Sequence, residues 1–151
     1  MTDNVVSLDK PNRVTVVPVA RSELSRVIMA AEGLLEPAVD RVSNDVRMQD
    51  IWENVWAGRN MLWLVYMDDG LKAALTTSIV EHPRRKNLKV EFMGGKDMHL
   101  WMDAVTDTLA DVARHAELDA VEADGRKGFE KFVSGSKFEP THTRYVMELG
   151  Q

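Results

Sequence analysis

Hydrophobic positions along the chain follow two periods, and their order predicts a mixed α/β domain. Short runs rich in β-branched and aromatic residues predict strands, whereas apolar residues at three- and four-residue steps predict helices. The predicted strands are 13–19, 61–67, 71–80, 88–93, 119–124 and 143–149. The predicted helices are 22–36, ended by Pro37, then 48–57, 98–116 and 125–135. The pattern therefore predicts a strand, two helices, three antiparallel strands, a helix, a strand, a helix and a strand.

Turn signals refine this order. Asp69-Gly70 lies between two apolar runs and predicts a hairpin. The polar segment 81–87 predicts a loop, and its arginines and lysines form a basic run that either binds an anion or is a solvated turn. Gly94 and Gly95 stand between the strand 88–93 and the helix that Asp97 is expected to cap. The glycine pair is either a phosphate-binding loop or a tight turn that needs a positive φ.

Composition narrows the class of protein. The chain has 151 residues, which suits one domain over 13–151 after a flexible lead-in at 1–12. It has no cysteine, so disulfides, thiolate catalysis and cysteine-based zinc sites are excluded, and its four histidines lack metal-ligand spacing. No apolar run reaches the roughly 20 residues of a membrane span, and the first residues lack a signal-peptide layout. A soluble, cytoplasmic protein without a membrane partner is expected.

Charge and aromatic residues add two expectations. Acidic side chains outnumber basic ones by 24 to 19, for a net charge of -5, which gives no strong nucleic-acid signal. The tryptophans fall on predicted apolar faces, and core packing is expected of them. They are Trp52, Trp56, Trp63 and Trp101.

The element order, with a glycine turn between the fourth strand and the third helix, resembles the GNAT superfamily of N-acetyltransferases. The best local match is the block "DAVEADGRKGFEKFVSGSKFEPTHTRYVMEL", with Lys137-Phe138 at a "Gly-Phe"-like turn. The resemblance implies an α/β (α+β) fold with a mixed, mostly antiparallel sheet flanked by helices. The segments "GG..M..W" and "E..GR.G" also resemble small GNAT-like proteins of tailed phages. That narrower resemblance implies a location in the host cytoplasm or the virion.

The resemblance also implies a site for acetyl-coenzyme A (acetyl-CoA) as co-substrate. In the family the cofactor lies between the splayed fourth and fifth strands, with its pyrophosphate over the loop that follows the fourth strand. Carried over to this chain, Gly94, Gly95 and Lys96 hold the pyrophosphate, and the backbone of Phe92 and Met93 pairs with the pantetheine amides. The helix after the fifth predicted strand begins with Arg126, a cation at a helix start, which favours a ligand anion there.

Two acid–base candidates follow from the same comparison. Strand alternation puts Lys89, Glu91 and Met93 on one face, so Glu91 is the candidate base that takes the proton of the incoming amine. The family's usual acid is a tyrosine on the fourth helix, where this chain has Phe132. Tyr145, on the last predicted strand, is the candidate acid in its place, although tyrosine in a strand also serves packing.

Two functions remain open at this level. The first is a GNAT-type N-acyltransferase that transfers an acetyl group from acetyl-CoA to an unidentified small-molecule or protein amine. The family signature Gln/Arg-x-x-Gly-x-Gly/Ala is incomplete here, and Phe132 lacks the hydroxyl. Both departures favour the second function, a catalytically inactive GNAT-like binding or phage virion-associated protein. A homodimer through edge strands or a virion partner is compatible with either.

Overall fold

Five strands form one sheet in the order β1-β2-β3-β4-β5 in the computed structural model, which describes residues 13–41, 45–125, 133 and 135–150. The strands are β1 (Thr15–Pro18), β2 (Met61–Met67), β3 (Gly70–His82), β4 (Arg85–Gly95) and β5 (Ala120–Ala123). The pairs β1–β2, β2–β3 and β3–β4 are antiparallel, and the pair β4–β5 is parallel. This is the mixed, mostly antiparallel sheet that the resemblance implies.

Three helices cover the two faces of the sheet. They are α1 (Leu24–Arg41), which follows a 3₁₀ turn at Arg21–Glu23, then α2 (Met48–Trp56) and α3 (Met98–His115). Alternate residues of β2 separate the two cores, because Leu62 and Leu64 pack with α1 and α2 whereas Trp63 and Val65 pack with α3. The expected sheet flanked by helices is confirmed, and the acidic side of α3, with Asp103, Asp107 and Asp111, is exposed.

The first helix continues past Pro37 and ends at Arg41, so the predicted helix end is wrong. Proline lacks the N–H that would bond to the carbonyl of Gly33. The helix continues because Val39, two residues later, is buried in the α1–α2 core. Burial of the next turn offsets the missing hydrogen bond.

Two other predicted segments differ from the structure. The predicted loop 81–87 is almost entirely strand, since β3 and β4 pair up to His82 opposite Arg85 and leave Pro83 and Arg84 as the turn. The predicted last strand, 143–149, has no regular secondary structure and is exposed throughout. A strand needs a neighbour to bond to, and this segment has none among the described residues.

Three of the four tryptophans are in the core as expected, whereas Trp56, at the end of α2, is 39% exposed. The lead-in 1–12, nearly all of the predicted helix 125–135, Arg126 and Phe132 lie outside the described residues. Within the described ranges, no helix combines the length and apolar character that crossing a membrane requires.

Candidate functional site

A β-bulge at Glu91 marks the middle of β4. Thr76 lies opposite Phe92 and Thr77 lies opposite Val90, so Glu91 is an extra residue without a partner on β3. A bulge reverses the alternation of side chains beyond it. Consequently Phe92 packs with α1 and α2, while Met93 packs on the α3 face with Val90. The prediction that Met93 shares a face with Lys89 and Glu91 is wrong for this reason.

Strands β4 and β5 part directly before the bulge. They pair only from Asn87 opposite Ala120 to Val90 opposite Ala123. From Phe92 to Gly95, β4 is paired with β3, but from Glu91 onward its other edge has no partner strand in the described part of the chain. Unpaired backbone donors and acceptors on a strand edge are free to bond to a ligand.

The glycine pair forms the end of β4 and does not form a loop. Neither glycine has a positive φ, so neither is required by a left-handed turn. A Cβ on Gly94 would lie 2.0 Å from the Leu34 carbonyl oxygen of α1, and one on Gly95 would lie 2.5 Å from the Lys72 oxygen. Glycine is needed here because α1 and β3 approach the β4 backbone closely.

The connection from β4 to α3 consists only of Lys96 and Asp97. Asp97 occupies the N-cap position with φ 57°, but its side chain makes no capping hydrogen bond. Its carboxylate lies 3.5 Å from Lys72 Nζ, which also contacts Asp69 at 2.8 Å. The hydrogen bond to Asp69 raises the pKa of Lys72, and the same bond lowers the pKa of Asp69. The first turn of α3 is therefore left without the side-chain cap that the sequence predicts.

Glu91 is held in a polar cluster on the α1–α2 face of the sheet. Ser78 Oγ donates a hydrogen bond to Glu91 Oε2 at 2.5 Å, and Lys89 Nζ lies 3.9 Å from Oε1. The Glu91 side chain is 27% exposed, so it is fixed by protein contacts and still accessible. A half-buried carboxylate of this kind is suited to accept a proton.

Acidic side chains of β5 and the residue after it extend this cluster. Lys89 Nζ lies 3.2 Å from Asp124, and burial opposes its charge. The hydrogen bond to Asp124 and the nearby carboxylates outweigh burial and raise the pKa of Lys89. Glu122 contacts His82 at 2.7 Å and accepts a bond from Asn87 at 2.9 Å. Burial acts to raise the pKa of Glu122, but these hydrogen bonds lower it overall.

The structure brings some predicted site residues together and leaves others apart. Glu91, Phe92, Met93, Gly94 and Gly95 follow one another along the open part of β4, and Lys96 comes next. Tyr145 is 89% exposed on the unpaired C-terminal segment and makes no hydrogen bond to a described residue. The structure therefore does not bring this phenol to Glu91.

Sequence reasoning missed Lys72 and Ser78. Both are on β3, and only the strand register brings them to Asp97 and Glu91. The sequence carried one weak signal, since Lys72 is the only charged residue of its strand before Glu81. In the described ranges, no group of three histidine, aspartate or glutamate side chains could hold a metal ion.

Comparison with known proteins identifies the fold. The chain is similar to a predicted acetyltransferase from Clostridium acetobutylicum solved with acetyl-CoA, at TM-score 0.64 and 9% identity over 91% of this chain and 97% of that one. It is also similar to glucosamine-6-phosphate N-acetyltransferase from Arabidopsis thaliana, at TM-score 0.61 and 10% identity over 91% and 99%. The chain has the GNAT fold.

A third similar structure is the aminoglycoside N-acetyltransferase AAC(6')-Iy in complex with CoA, at TM-score 0.63 and 10% identity over 93% of this chain and 97% of that one. No protein-family model matches the chain, and no curated protein matches it in sequence. The three structures carry no support for the narrower resemblance to phage proteins. At such low sequence identity the comparison shows the fold alone, and the chemistry of the site depends on this chain's own residues.

Proposed function

We propose that the protein is an N-acyltransferase that transfers an acetyl group from acetyl-CoA to an amine. The observation that carries this proposal is the open edge of β4, which runs from Glu91 to Gly95 and leads to the uncapped start of α3. Acetyltransferases, two of them solved with acetyl-CoA or CoA, share this fold. A base, a free strand edge and a helix start lie in one line, as transfer from an extended co-substrate requires.

The residues present fit such a co-substrate. The unpaired backbone groups of Phe92 and Met93 would bond to the pantetheine amides, and the start of α3 with the Lys96 ammonium would attract the pyrophosphate. Lys72 supports this by holding the Asp97 carboxylate to one side of the helix start. Arg126 remains a proposed contact for the same anion.

Acetyl-CoA supplies the thioester whose C–S bond breaks when the amine nitrogen bonds to the acetyl carbon. Glu91 accepts the proton that the attacking amine loses, and Ser78 keeps its carboxylate in place. The departing sulfur needs one proton. Tyr145 is the proposed proton donor, and this role requires the C-terminal segment to fold against the site. In the arrangement where Tyr145 is exposed, water donates the proton.

The acceptor that fits this face is a small amine with positive charge. One lysine, Lys89, lies among three carboxylates, those of Glu91, Asp124 and Glu122. Negative charge therefore predominates where the ammonium group of the acceptor would arrive. Three of the similar structures, which represent two proteins, are named as aminoglycoside acetyltransferases, and one of them is in complex with sisomicin. A cationic small molecule is the acceptor class that we infer.

Calorimetric titration of the purified chain with acetyl-CoA tests the proposal. We expect saturable binding with a dissociation constant between about 1 and 100 μM, together with a higher unfolding temperature. NADH, a dinucleotide with a pyrophosphate and no pantetheine, is the control and should bind at least about tenfold more weakly. If no heat of binding is detected at about 5 mM acetyl-CoA, the proposal is wrong.

The exposed position of Tyr145, away from Glu91, favours one alternative, a GNAT-like protein that binds a ligand without turnover. Thiol release from acetyl-CoA separates the two functions. The acceptor set is sisomicin, glucosamine 6-phosphate, spermidine and a lysine-containing peptide. Thiol release that is faster than in the absence of protein supports the enzyme. Tight binding of acetyl-CoA, with no thiol release in the presence of any acceptor, supports the binding protein.

Replacing Lys72 by methionine should weaken acetyl-CoA binding by about tenfold, since Asp97 is then free to cap α3 and repel the pyrophosphate. Asp97→Ala in the same chain should restore most of the affinity. Calorimetry on the wild type, both single variants and the double variant gives the coupling between the two residues.

The control for this cycle is Lys86→Met, which removes an exposed lysine paired with Glu81 at the far end of β4. It should leave acetyl-CoA affinity unchanged. If Lys72→Met is also without effect, or if Asp97→Ala fails to restore binding, Lys72 does not act by withdrawing Asp97.

A further inference from the structure

A cavity lies at the end of the sheet away from the α3 start. Strands β2 and β4 run in the same direction, because both are antiparallel to β3. The first residue of β2, Met61, and the last residue of β4, Gly95, are therefore at opposite ends. The cavity adjoins Met61 and has a volume of about 330 Å³, at the lower end of the range for small-molecule sites.

The cavity exists because β3 is longer than β2. The β2–β3 pairing stops at Met61 opposite Thr77, so residues 78–82 extend beyond β2 without a partner on that side. The start of α1 and the ends of α2 and α3 close the corner that results. The helices contribute Leu24, Val55 and Val112 to the lining, and the connection from α3 to β5 contributes Leu118.

Most side chains that line this corner are apolar, and its buried polar pair is bonded internally. Trp63 Nε1 donates to Thr77 Oγ1 at 2.9 Å, and both residues line the cavity. Apolar side chains continue to the solvent, where Met61 is 48% and Ile79 is 58% exposed. An apolar group is therefore the part of a ligand that suits the interior.

Two arginines belong to the same lining and give it a charge. Arg21 and Arg59 are exposed residues of the cavity wall. Among the described residues, the ion-paired arginines are Arg26, Arg114 and Arg144, so neither wall arginine has a carboxylate partner. Arg59 Nε donates to Asn54 at 2.8 Å, which orients its guanidinium. Two cations without a carboxylate partner among the described residues, one of them oriented by Asn54, lie beside an apolar interior and complement an anionic head group.

We propose that this cavity binds a small amphipathic anion, an apolar chain or ring ending in a carboxylate, with Arg21 and Arg59 on the head group. The anion in this cavity takes no part in the acetyl-transfer step. Ser78, which lines the cavity and also bonds to Glu91, is the residue that the two sites share.

Titration of the full chain with decanoate tests the proposal, with decanol and decylamine as matched neutral and cationic probes. Decanoate should bind with a dissociation constant below about 1 mM and at least about tenfold more tightly than either probe. Arg21→Gln/Arg59→Gln should remove that preference, while Arg26→Gln, an exposed arginine of α1 outside the lining, should keep it.

Ala116→Phe fills the cavity from the end of α3 and should abolish decanoate binding while the circular dichroism spectrum stays unchanged. Equal affinity for decanoate and decanol, or undiminished binding in the double arginine variant, overturns the proposal. So does the absence of decanoate binding to the folded wild type at about 5 mM. Because no step uses acetyl-CoA, a chain that fails to bind acetyl-CoA can still give the expected result here.

Discussion

Glu91→Gln should lower the turnover number by at least about 100-fold and leave the affinity for acetyl-CoA within about twofold of the wild type. General base catalysis contributes roughly 10²- to 10⁴-fold, and glutamine has no basic oxygen of comparable strength. The glutamine carbonyl can still accept the Ser78 hydrogen bond, so the shape of the bulge is retained. The lost contact to Lys89, at 3.9 Å and partly exposed, contributes little to stability.

The measurement is thiol release from acetyl-CoA with the best acceptor of the set above, and calorimetry reports binding separately. Glu81→Gln is the matched control, since Glu81 is an exposed glutamate on the same hairpin that pairs with Lys86. It should keep at least about half of the turnover. If Glu91→Gln keeps as much as Glu81→Gln, Glu91 is not the base, whatever the outcome of the binding experiment.

Gly94→Ala should destabilise the fold by at least about 3 kcal/mol, which lowers the unfolding temperature by roughly 10 °C. The added Cβ would lie 2.0 Å from the Leu34 carbonyl oxygen and 3.0 Å from its carbonyl carbon. These are backbone atoms of α1, so no side chain can rotate away, and α1 must move from the sheet. Thermal unfolding and urea denaturation measure the loss.

Gly33→Ala provides a control one residue away from Leu34 in the same helix. A Cβ at Gly33 meets nothing within 4 Å, and alanine has the better helix propensity. It should raise stability by about 0.5 to 1 kcal/mol. Equal stability of Gly94→Ala and the wild type would show that α1 does not pack against β4 as closely as the structure has it.

This packing also changes how the glycine pair is used in functional tests. A bulky residue at Gly94 alters the helix–sheet contact before it affects any ligand, so loss of binding in such a variant has no single cause. Lys96, Lys72 and Asp97 are better probes of the anion site, since they lie on the connection or reach it through side chains.

The sequence predicted the elements whose signal is local. The apolar periods of α2 and α3, the Asp69-Gly70 turn and the short fifth strand are each encoded within a few neighbouring residues, and the structure confirms them. The resemblance to acetyltransferases followed from that order, and the shared fold confirms it at the level of architecture. Elements that depend on distant partners were predicted less well. Helix α1 passes Pro37 because of a buried turn, and residues 143–149 have strand character without a strand partner.

By itself, the sequence determined the order of helices and strands from β1 to β5, the position of Glu91 on β4 and the absence of cysteine chemistry. Tertiary structure decided the bulge at Glu91, because a bulge is a mismatch between two strands and exists only in their pairing. Tertiary structure also brought Lys72 to Asp97 and Ser78 to Glu91, and made Gly94 a contact for α1 and not a turn. The hydrophobic pattern of a sequence indicates which face of its element each residue prefers. The distances between separate segments are fixed only when those segments pack against each other.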